Sequence, residues 1–272
     1  MSYVRQFDLT DRVAVVTGGT GILGKRFCAG LAESGAKVAV IDLDAEAVNE
    51  YAESLQAEYG VECAGVACDI SAPQEVVSMI SAVENNLGEI DILHNNAASK
   101  GSDLKSFFAP LEQFSLDTWR EIMEVNLDAT FLVAQQIGTR MAQRGGGSII
   151  QTASIYGATM APDQRIYEGS HYMGMEINTP PVYPVSKAGV HGLTLYLASY
   201  WARKGVRVNT LSPGGVESGQ NQRFSVSYSN RVPMGRMADG DEMVGALIFL
   251  ASDASSYITG QNLYVDGGLS AW

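Results

Sequence analysis

The sequence predicts an α/β fold, built as one doubly wound parallel sheet with helices on both faces. Short apolar runs alternate with longer amphipathic stretches, a glycine-rich turn follows the first apolar run, and no repeat or low-complexity linker divides the chain. A chain of 272 residues, 46% of them apolar, is long enough for one large domain with its own core. We therefore expect a single domain over residues 1–272.

Six short runs are typical of strands that helices bury on both faces, because several of them are almost continuously apolar. Five longer amphipathic stretches are typical of helices. Ser71 and Gln74 have the spacing of a capping box at the start of the third helix. The predicted strands are residues 13–17, 37–42, 61–69, 90–95, 148–153 and 206–212, and the predicted helices are residues 22–34, 45–59, 73–87, 116–141 and 184–203.

The charge balance excludes several classes of partner. The chain has 18 Lys and Arg against 30 Asp and Glu, a net charge of -12, so it has no general attraction for nucleic acid or an anionic membrane. Three cysteines without metal-ligand spacing predict no metal site and the reduced thiols of a cytoplasmic protein. The N-terminus lacks the apolar core of a signal peptide, and the chain has no apolar run long enough for a membrane span. The expected partner is a small polar molecule.

A glycine-rich turn after the first predicted strand indicates a phosphate-binding site. Gly19, Gly21 and Gly24 have the G-x-G-x-x-G spacing between a strand and a helix, where backbone N–H groups can approach a pyrophosphate. Asp42 ends the second strand, where a carboxylate can accept hydrogen bonds from an adenosine ribose and would repel a 2′-phosphate. Because Leu43 and not an arginine follows, we expect NAD rather than NADP. A glycine-rich turn without a ligand is the alternative.

A tyrosine and a lysine four residues apart indicate acid–base chemistry. Tyr183 and Lys187 would lie on one face of a helix, and an ammonium beside a phenol lowers the phenol pKa from its usual value of about 10. Ser154 follows the fifth predicted strand, at the edge where open α/β sheets bind ligands. Asn126 lies within the fourth predicted helix. The Tyr–Lys spacing alone is common, but the four residues together predict a catalytic group.

Taken in order, these motifs resemble those of the short-chain dehydrogenase/reductase family over about residues 9–268. The resemblance implies a Rossmann-type fold, hydride transfer at a nicotinamide, and a homotetramer. It implies that Tyr183 is the general acid/base and that Ser154 donates a hydrogen bond to the reacting oxygen. It also implies that Lys187 binds the nicotinamide ribose and lowers the tyrosine pKa, and that Asn126 holds a water for proton relay.

The same resemblance implies the contacts with NAD. Asp69 matches the acid that contacts the adenine, and Val216 matches the residue whose N–H group binds the carboxamide. Two positions depart from the family pattern: Ile22 replaces the second glycine of the turn, and Ala98 replaces the glycine of the usual N-N-A-G. The implied cofactor contacts are Gly18, Thr20, Gly21, Ile22, Leu23, Asp42, Leu43, Asp69, Ile70, Asn96, Ala97, Tyr183, Lys187, Pro213, Gly214, Val216 and Ser218.

Two variable segments lie near the predicted catalytic residues. Ser154 and Tyr183 are 29 residues apart, far more than in the usual family pattern, and the extra residues, about 160–179, predict a wall or lid over the substrate. A loop that contacts a neighbouring subunit is the alternative. Residues 217–237 are rich in Gln, Asn and Arg, so they predict a polar lid and a substrate with several hydroxyl groups. The candidate substrate contacts are Tyr156, Arg165, His171, Gly215 and Arg223.

The expected function is therefore an NAD-dependent hydride transfer between the nicotinamide and the hydroxyl-bearing carbon of a polar, sugar-derived substrate. The insert and the SPGG and RVPMGRM segments resemble those of bacterial oxidoreductases of sugar metabolism or surface-sugar biosynthesis. Two alternatives stay open. One is a keto or aldehyde reductase of surface-sugar biosynthesis, and the other is a non-catalytic NAD-binding protein, against which the four catalytic candidates argue.

Overall fold

The computed structural model describes residues 3–272; Met1 and Ser2, the start of the segment expected not to be a signal peptide, lie outside the described residues. Strands and helices alternate along the chain, as the apolar pattern predicts. The strands are β1 Val13–Thr17, β2 Lys37–Asp42, β3 Cys63–Ala67, β4 Ile90–Asn95, β5 Gly147–Thr152, β6 His171–Tyr172, β7 Met175–Glu176, β8 Val206–Pro213 and β9 Asn262–Val265. The helices are α1 Ile22–Glu33, α2 Ala45–Tyr59, α3 Pro73–Leu87, α4 Leu104–Phe107, α5 Leu116–Met123, α6 Thr130–Arg144, α7 Ile155–Ala158, α8 Val182–Trp201, α9 Gln222–Ser229 and α10 Val244–Ala251.

Seven parallel strands form one sheet in the order β3-β2-β1-β4-β5-β8-β9. The two short strands β6 and β7 form a separate antiparallel hairpin. Because β1 pairs with β2 on one side and β4 on the other, the strand order reverses there and leaves a crevice at the carboxyl edge. The predicted doubly wound parallel sheet is confirmed.

Apolar side chains cover both faces of the sheet, which explains the nearly continuous apolar runs of its central strands. On one face α3, α6 and α8 bury residues such as Met79 and Ile137. On the other face α1, α2 and α10 bury residues such as Phe27 and Leu250. Within residues 3–272, no helix combines the length and the apolar character needed to cross a bilayer.

Several features differ from the expectations, among them the following. The helix predicted over residues 116–141 is interrupted between α5 and α6 by a π-helical turn, Glu124–Ala129. The edge strand β9 was not predicted, because its four residues are only partly buried and make too short an apolar run. The predicted capping box of α3 is wrong: Ala72 is the N-cap, and the hydroxyl of Ser71 donates to the carboxylate of Asp69 at 2.7 Å.

The turn between β1 and α1 depends on glycine at two positions. Gly18 has a φ of 64°, in the left-handed region that favours glycine. A Cβ on Gly24 would lie 1.9 Å from the carbonyl oxygen of Gly18, so no side chain fits there unless the backbone moves. Since Gly21 is the N-cap of α1, the turn presents the start of this helix to the crevice.

We expect Gly24→Ala to destabilise the fold by about 2 kcal/mol and to weaken dinucleotide binding, because the added methyl group meets rigid backbone. Gly245→Ala in α10 is the matched control, since a Cβ there meets no atom within 4 Å. Its effect should be neutral or slightly stabilising. Thermal unfolding and cofactor titration measure both effects, and equal melting temperatures for the two variants would contradict the role of Gly24.

Candidate active site

A cleft of about 480 Å³ opens at the carboxyl edge of the sheet, where the strand order reverses. The glycine-rich turn, the end of β2 and the loops after β3 and β4 form its walls. Open α/β sheets bind dinucleotides at this place. The predicted cofactor residues that line this cleft together are Gly18, Thr20, Gly21, Ile22, Leu23, Asp42, Leu43, Asp69, Ile70, Asn96 and Ala97.

The carboxylate of Asp42 is fixed in the wall of this cleft. One oxygen accepts from the backbone N–H and the hydroxyl of Thr20, at 3.1 and 2.5 Å, and the other accepts from the N–H of Leu43 at 2.9 Å. At the start of α1, the N–H groups of Ile22 and Leu23 have no acceptor within the helix, and the helix dipole favours an anion there. The cleft thus combines an anion-binding end with a carboxylate that can accept hydrogen bonds from a ribose.

Two further polar residues brace the cleft. Asp69 accepts from the backbone and the hydroxyl of Ser71 at 2.9 and 2.7 Å. The side-chain amide of Asn96 donates to the main-chain carbonyls of Thr17 and Gly18 at 3.2 and 3.3 Å. Asn96 therefore holds the glycine-rich turn against the end of β4.

Lys187, Ser154 and Tyr183 meet where β5 ends and α8 begins. The buried ammonium of Lys187 donates to the main-chain carbonyl of Thr152 at 2.9 Å. Ser154 is buried, and its Oγ accepts from the N–H of Tyr156 at 3.1 Å. Its hydroxyl proton is thus left for a hydrogen bond with the phenol oxygen of Tyr183. The structure brings these three predicted residues together.

Burial is the largest cause of the pKa shifts of Lys187 and Tyr183. It lowers the pKa of Lys187 to about 8. It raises the pKa of Tyr183, and the hydrogen bond from Ser154 opposes that rise. The expected lowering of the tyrosine pKa by Lys187 is wrong here, because burial raises the pKa of Tyr183 and only the hydrogen bond from Ser154 opposes that rise.

Asn126 lies in the π-helical turn and is buried, not solvated as a polar residue in mid-helix usually is. Its Oδ1 accepts from the N–H of Ser99 at 2.7 Å, and its Nδ2 donates to the carbonyl of Ser99 at 3.2 Å. The hydroxyl of Thr130 donates to the main-chain carbonyl of Asn126 at 3.1 Å. The π turn therefore directs this side chain to the loop after β4, and such turns are frequent at functional sites.

The remaining predicted cofactor residues form a second group at the same edge of the sheet. Pro213, Gly214, Val216 and Ser218 follow or end β8 and do not line the 480 Å³ cleft. The N–H of Gly214 donates to the carbonyl of Val265 in β9 at 2.9 Å. The edge strand that the sequence did not predict thus fixes the start of this loop.

The segments over the catalytic residues pack against each other. We call residues 160–179 the insert and residues 217–237 the lid. Arg231 of the lid forms an ion pair with Asp163 of the insert. The rings of Tyr167 in the insert and Phe224 in the lid lie 5.2 Å apart. The two segments therefore form one structural unit, the insert–lid unit.

Comparison with known families agrees with this geometry. A family model described as short chain dehydrogenase matches residues 12–175, and one described as Enoyl-(Acyl carrier protein) reductase matches residues 169–270. The chain belongs to the short-chain dehydrogenase/reductase family. It is thus an oxidoreductase of a family that uses a nicotinamide dinucleotide.

Relatives in this family act on different substrates. The chain is 36% identical to a D-threitol dehydrogenase of Mycolicibacterium smegmatis, covering 96% of this chain and 94% of the relative. It is 37% identical to an acetoacetyl-CoA reductase of Allochromatium vinosum, covering 95% and 98%. The crystal structure of a gluconate 5-dehydrogenase from Burkholderia cenocepacia, in complex with NADP and tartrate, superposes with a TM-score of 0.86 at 33% identity and covers all of both chains.

The candidate substrate residues of this dehydrogenase separate into two groups. Tyr156 is buried beneath the insert–lid unit, and Gly215 lies under the ring of a lid residue. Arg165, His171 and Arg223 lie on the exposed surface of the unit, where each bonds to another residue of it. These three residues were expected to contact the substrate because of their residue types. The structure places them on the outer surface of the insert–lid unit and not on its inner side.

The polar character predicted for the lid does not hold for its inner face. Phe224, Tyr228, Val232 and Met237 are buried there and form an apolar and aromatic surface. The amino-acid composition of the segment gave no sign of these residues, because composition does not distinguish the inner face from the outer face. The spacing of Phe224, Tyr228 and Val232 at i, i+4 and i+8 is the signal that could have found them.

Phenol groups supply much of the polarity under the lid. Tyr156, Tyr167, Tyr183 and Tyr228 pack in one cluster. The hydroxyl of Tyr167 accepts from the hydroxyl of Thr179 at 2.7 Å. Among residues 3–272, no group of three or more His, Cys, Asp or Glu is placed to hold a metal ion. Hydroxyl groups are therefore the polar groups that this tyrosine cluster offers to a ligand.

The burial of Lys187 predicts a pH-dependent stability. Its pKa of about 8 lies below the value of about 10.4 in an unfolded chain, so the unfolded state binds more protons between these values. The contribution of this group to the free energy of unfolding should therefore rise with pH through this window, by about 1 kcal/mol per pH unit.

Urea unfolding of the wild type and Lys187→Met at about pH 7, 8 and 9 measures this effect. The stability of the wild type relative to the variant should increase with pH. Lys105→Met removes an exposed lysine and serves as the control. A difference between wild type and Lys187→Met that stays constant over this range would contradict the buried position of the ammonium.

Proposed function

We propose that the protein is an NAD-dependent dehydrogenase that oxidises a secondary hydroxyl group of a neutral, polyhydroxylated substrate of the sugar-alcohol class. The observation that carries this proposal is the grouping of Ser154, Tyr183 and Lys187 at the carboxyl edge of the sheet that also forms the dinucleotide cleft. A proton acceptor, a donor for the reacting oxygen and a positive charge are what oxidation of an alcohol requires.

Each residue has one role in this reaction. A bound nicotinamide supplies the hydride acceptor at its C4 atom. Tyr183, as phenolate, takes the proton of the substrate hydroxyl. Ser154 donates a hydrogen bond to the same oxygen while its negative charge develops. Lys187 would bind the nicotinamide ribose and joins α8, which carries Tyr183, to the end of β5 through the carbonyl of Thr152. Asn126 would hold the water through which the lysine exchanges its proton with solvent.

The walls of the cleft support NAD as the cofactor. The carboxylate of Asp42 ends β2 and lines the cleft, where it can accept hydrogen bonds from a ribose diol. Leu43 follows it and brings no positive charge for a 2′-phosphate. Like charges a few ångströms apart cost several kcal/mol near a protein surface, so this carboxylate disfavours NADP. Bound NADP is a property of the Burkholderia cenocepacia enzyme.

The charges around the insert support a neutral substrate. A cavity of about 700 Å³ beside the insert is lined by Glu112, Glu168 and Glu176, and no Lys or Arg among residues 3–272 lines it. Arg231, at the boundary between insert and lid, is engaged in an ion pair with Asp163. A polyol meets no repulsion here, whereas phosphate and carboxylate groups find no free cation in these walls. The D-threitol dehydrogenase relative supports the same substrate class.

The acetoacetyl-CoA reductase relative favours a second candidate function, the reduction of a keto group. The same residues would serve, with Tyr183 donating the proton to the developing alkoxide. The phosphate groups of a CoA substrate would meet the acidic cavity, so we place this candidate second. A keto or aldehyde reductase acting on a sugar would avoid that repulsion.

We also propose a cytoplasmic homotetramer. Phe131, Leu195, Tyr196 and Tyr200 are exposed on α6 and α8, and exposed apolar patches mark interaction surfaces. The three cysteines are unpaired, as in a reducing compartment. Light scattering on the purified protein measures the number of subunits.

Tyr183→Phe should lower kcat by about 10³-fold and leave the NAD dissociation constant nearly unchanged, because only the proton acceptor is lost. The assay follows NADH absorbance with a panel of sugar alcohols, sugar acids, simple secondary alcohols and, in reverse, acetoacetyl thioesters. Tyr257→Phe, at a fully exposed tyrosine, is the control. Retained turnover in Tyr183→Phe would contradict the proposal, and turnover of thioesters alone would favour the second candidate.

Asp42→Ala should lower the preference for NAD over NADP, measured as the ratio of kcat/KM values, by about ten-fold or more. The variant loses both the ribose acceptor and the repulsion of a 2′-phosphate. Asp44→Ala removes an equal charge at the N-cap of α2 and should leave the ratio unchanged. A wild type that prefers NADP would show that Asp42 does not select the cofactor.

A further inference from the structure

The hydroxyl group of Tyr228 lacks an acceptor. Tyr228 lies on α9 of the lid, is 4% exposed, and its hydroxyl proton has no acceptor among residues 3–272. The amide of Gly215 lies near the phenol oxygen, but an N–H group can only donate to that oxygen. The hydroxyl proton of Tyr228 is therefore unpaired, and a buried donor without an acceptor calls for a functional explanation.

The ring that carries this hydroxyl packs against Gly215. A Cβ on Gly215 would lie 2.4 Å from the ring of Tyr228, so only glycine lets the ring settle onto the loop after β8. This explains why a glycine stands among the candidate substrate residues. Gly215 leaves room for the tyrosine ring, so Tyr228 and not Gly215 is the candidate for contact with the substrate.

The lid segment that carries Tyr228 is anchored on several sides. The ion pair of Arg231 with Asp163 ties it to the insert. The indole N–H of Trp272 donates to the main-chain carbonyl of Arg231 at 2.9 Å. The ring of Phe224, one helical turn before Tyr228, packs against Tyr167 of the insert. A side chain on a segment held in this way is preorganised to recognise a ligand.

Tyr228 and the reacting residue Tyr183 belong to the same cluster. Besides burial, the neighbouring Tyr167, Tyr183 and Asp266 raise the pKa of Tyr228, in agreement with the packing of the two tyrosines in one cluster. A cavity of about 80 Å³ also borders Tyr228 on the side of Asp266. That space is large enough for water but not for a sugar alcohol. A purely structural hydroxyl that faces this cavity is the competing explanation.

We propose that Tyr228 is a specificity-determining residue whose hydroxyl donates a hydrogen bond to a second, non-reacting hydroxyl group of the substrate while Tyr183 acts on the first. This inference rests on the proposed function, since it requires a polyhydroxylated substrate. It explains the unpaired donor, because the substrate supplies the missing acceptor. A site built in this way rejects analogues that lack the second hydroxyl, because the buried donor then stays unpaired.

The test compares Tyr228→Phe with the wild type on the polyol of the panel that is oxidised fastest, and on each of its monodeoxy analogues. In the wild type, one non-reacting position should lower kcat/KM about ten-fold or more when its hydroxyl is removed. In the Tyr228→Phe enzyme, removal of the same substrate hydroxyl should lower kcat/KM little further. The double-mutant cycle between enzyme and substrate isolates this contact.

Thermal unfolding provides a second readout. Tyr228→Phe removes an unpaired donor, so its melting temperature should be unchanged or higher than that of the wild type. Tyr167→Phe, in the same cluster, removes a hydroxyl that is paired with Thr179 and should lower it. Tyr257→Phe, fully exposed, should match the wild type in stability and in substrate preference.

The outcomes separate the two proposals. A Tyr228→Phe enzyme that distinguishes the polyol from its deoxy analogues as the wild type does would overturn the role of Tyr228 and leave the proposed function intact. A lower melting temperature together with that unchanged preference would assign the hydroxyl to the small cavity. A wild type that oxidises no polyol would overturn both proposals.

Discussion

The hydrogen bond from the buried ammonium of Lys187 to the carbonyl of Thr152 is the interaction on which the candidate site depends. It joins α8, which carries Tyr183, to the end of β5, just before Ser154. A shift of the helix along the sheet would separate the phenol from the serine hydroxyl. The pairing of β5 with β4 and β8 keeps this strand in register, so the interior of the sheet fixes the geometry of its edge.

Burial of Lys187 and of Tyr183 also sets the pKa values of these two residues. Desolvation lowers the lysine pKa to about 8 and raises the pKa of Tyr183, and the hydroxyl of Ser154 opposes the second effect. Ser154 thus has two functions in one position. It favours the ionised tyrosine, and in the proposed reaction it also donates to the oxygen on which charge develops.

The insert–lid unit is polar outside and aromatic inside. Arg165 and Arg231 share the carboxylate of Asp163, so these two arginines of the unit are held in ion pairs within the protein. The inner face offers aromatic rings and the hydroxyl of Tyr228. Such a surface combines apolar contact with few directed hydrogen bonds, which is the usual character of a small-molecule site.

Local patterns were sufficient for the central fold and the dinucleotide cleft. Strands buried on both faces require apolar runs, and the close approach of Gly24 to Gly18 requires glycine. Both requirements act between residues that are near in the chain, so both can be recognised in the sequence. The candidate catalytic residues Ser154, Tyr183 and Lys187, which the structure brings together, were indicated by motif order through the family resemblance. The edge strand β9, the π turn around Asn126, the inner face of the lid and the pairing of Arg231 depend on residues far apart in the chain. The spacing of Phe224, Tyr228 and Val232 marks one face of the lid, but only packing shows that this face is buried and that the hydroxyl proton of Tyr228 is left without an acceptor.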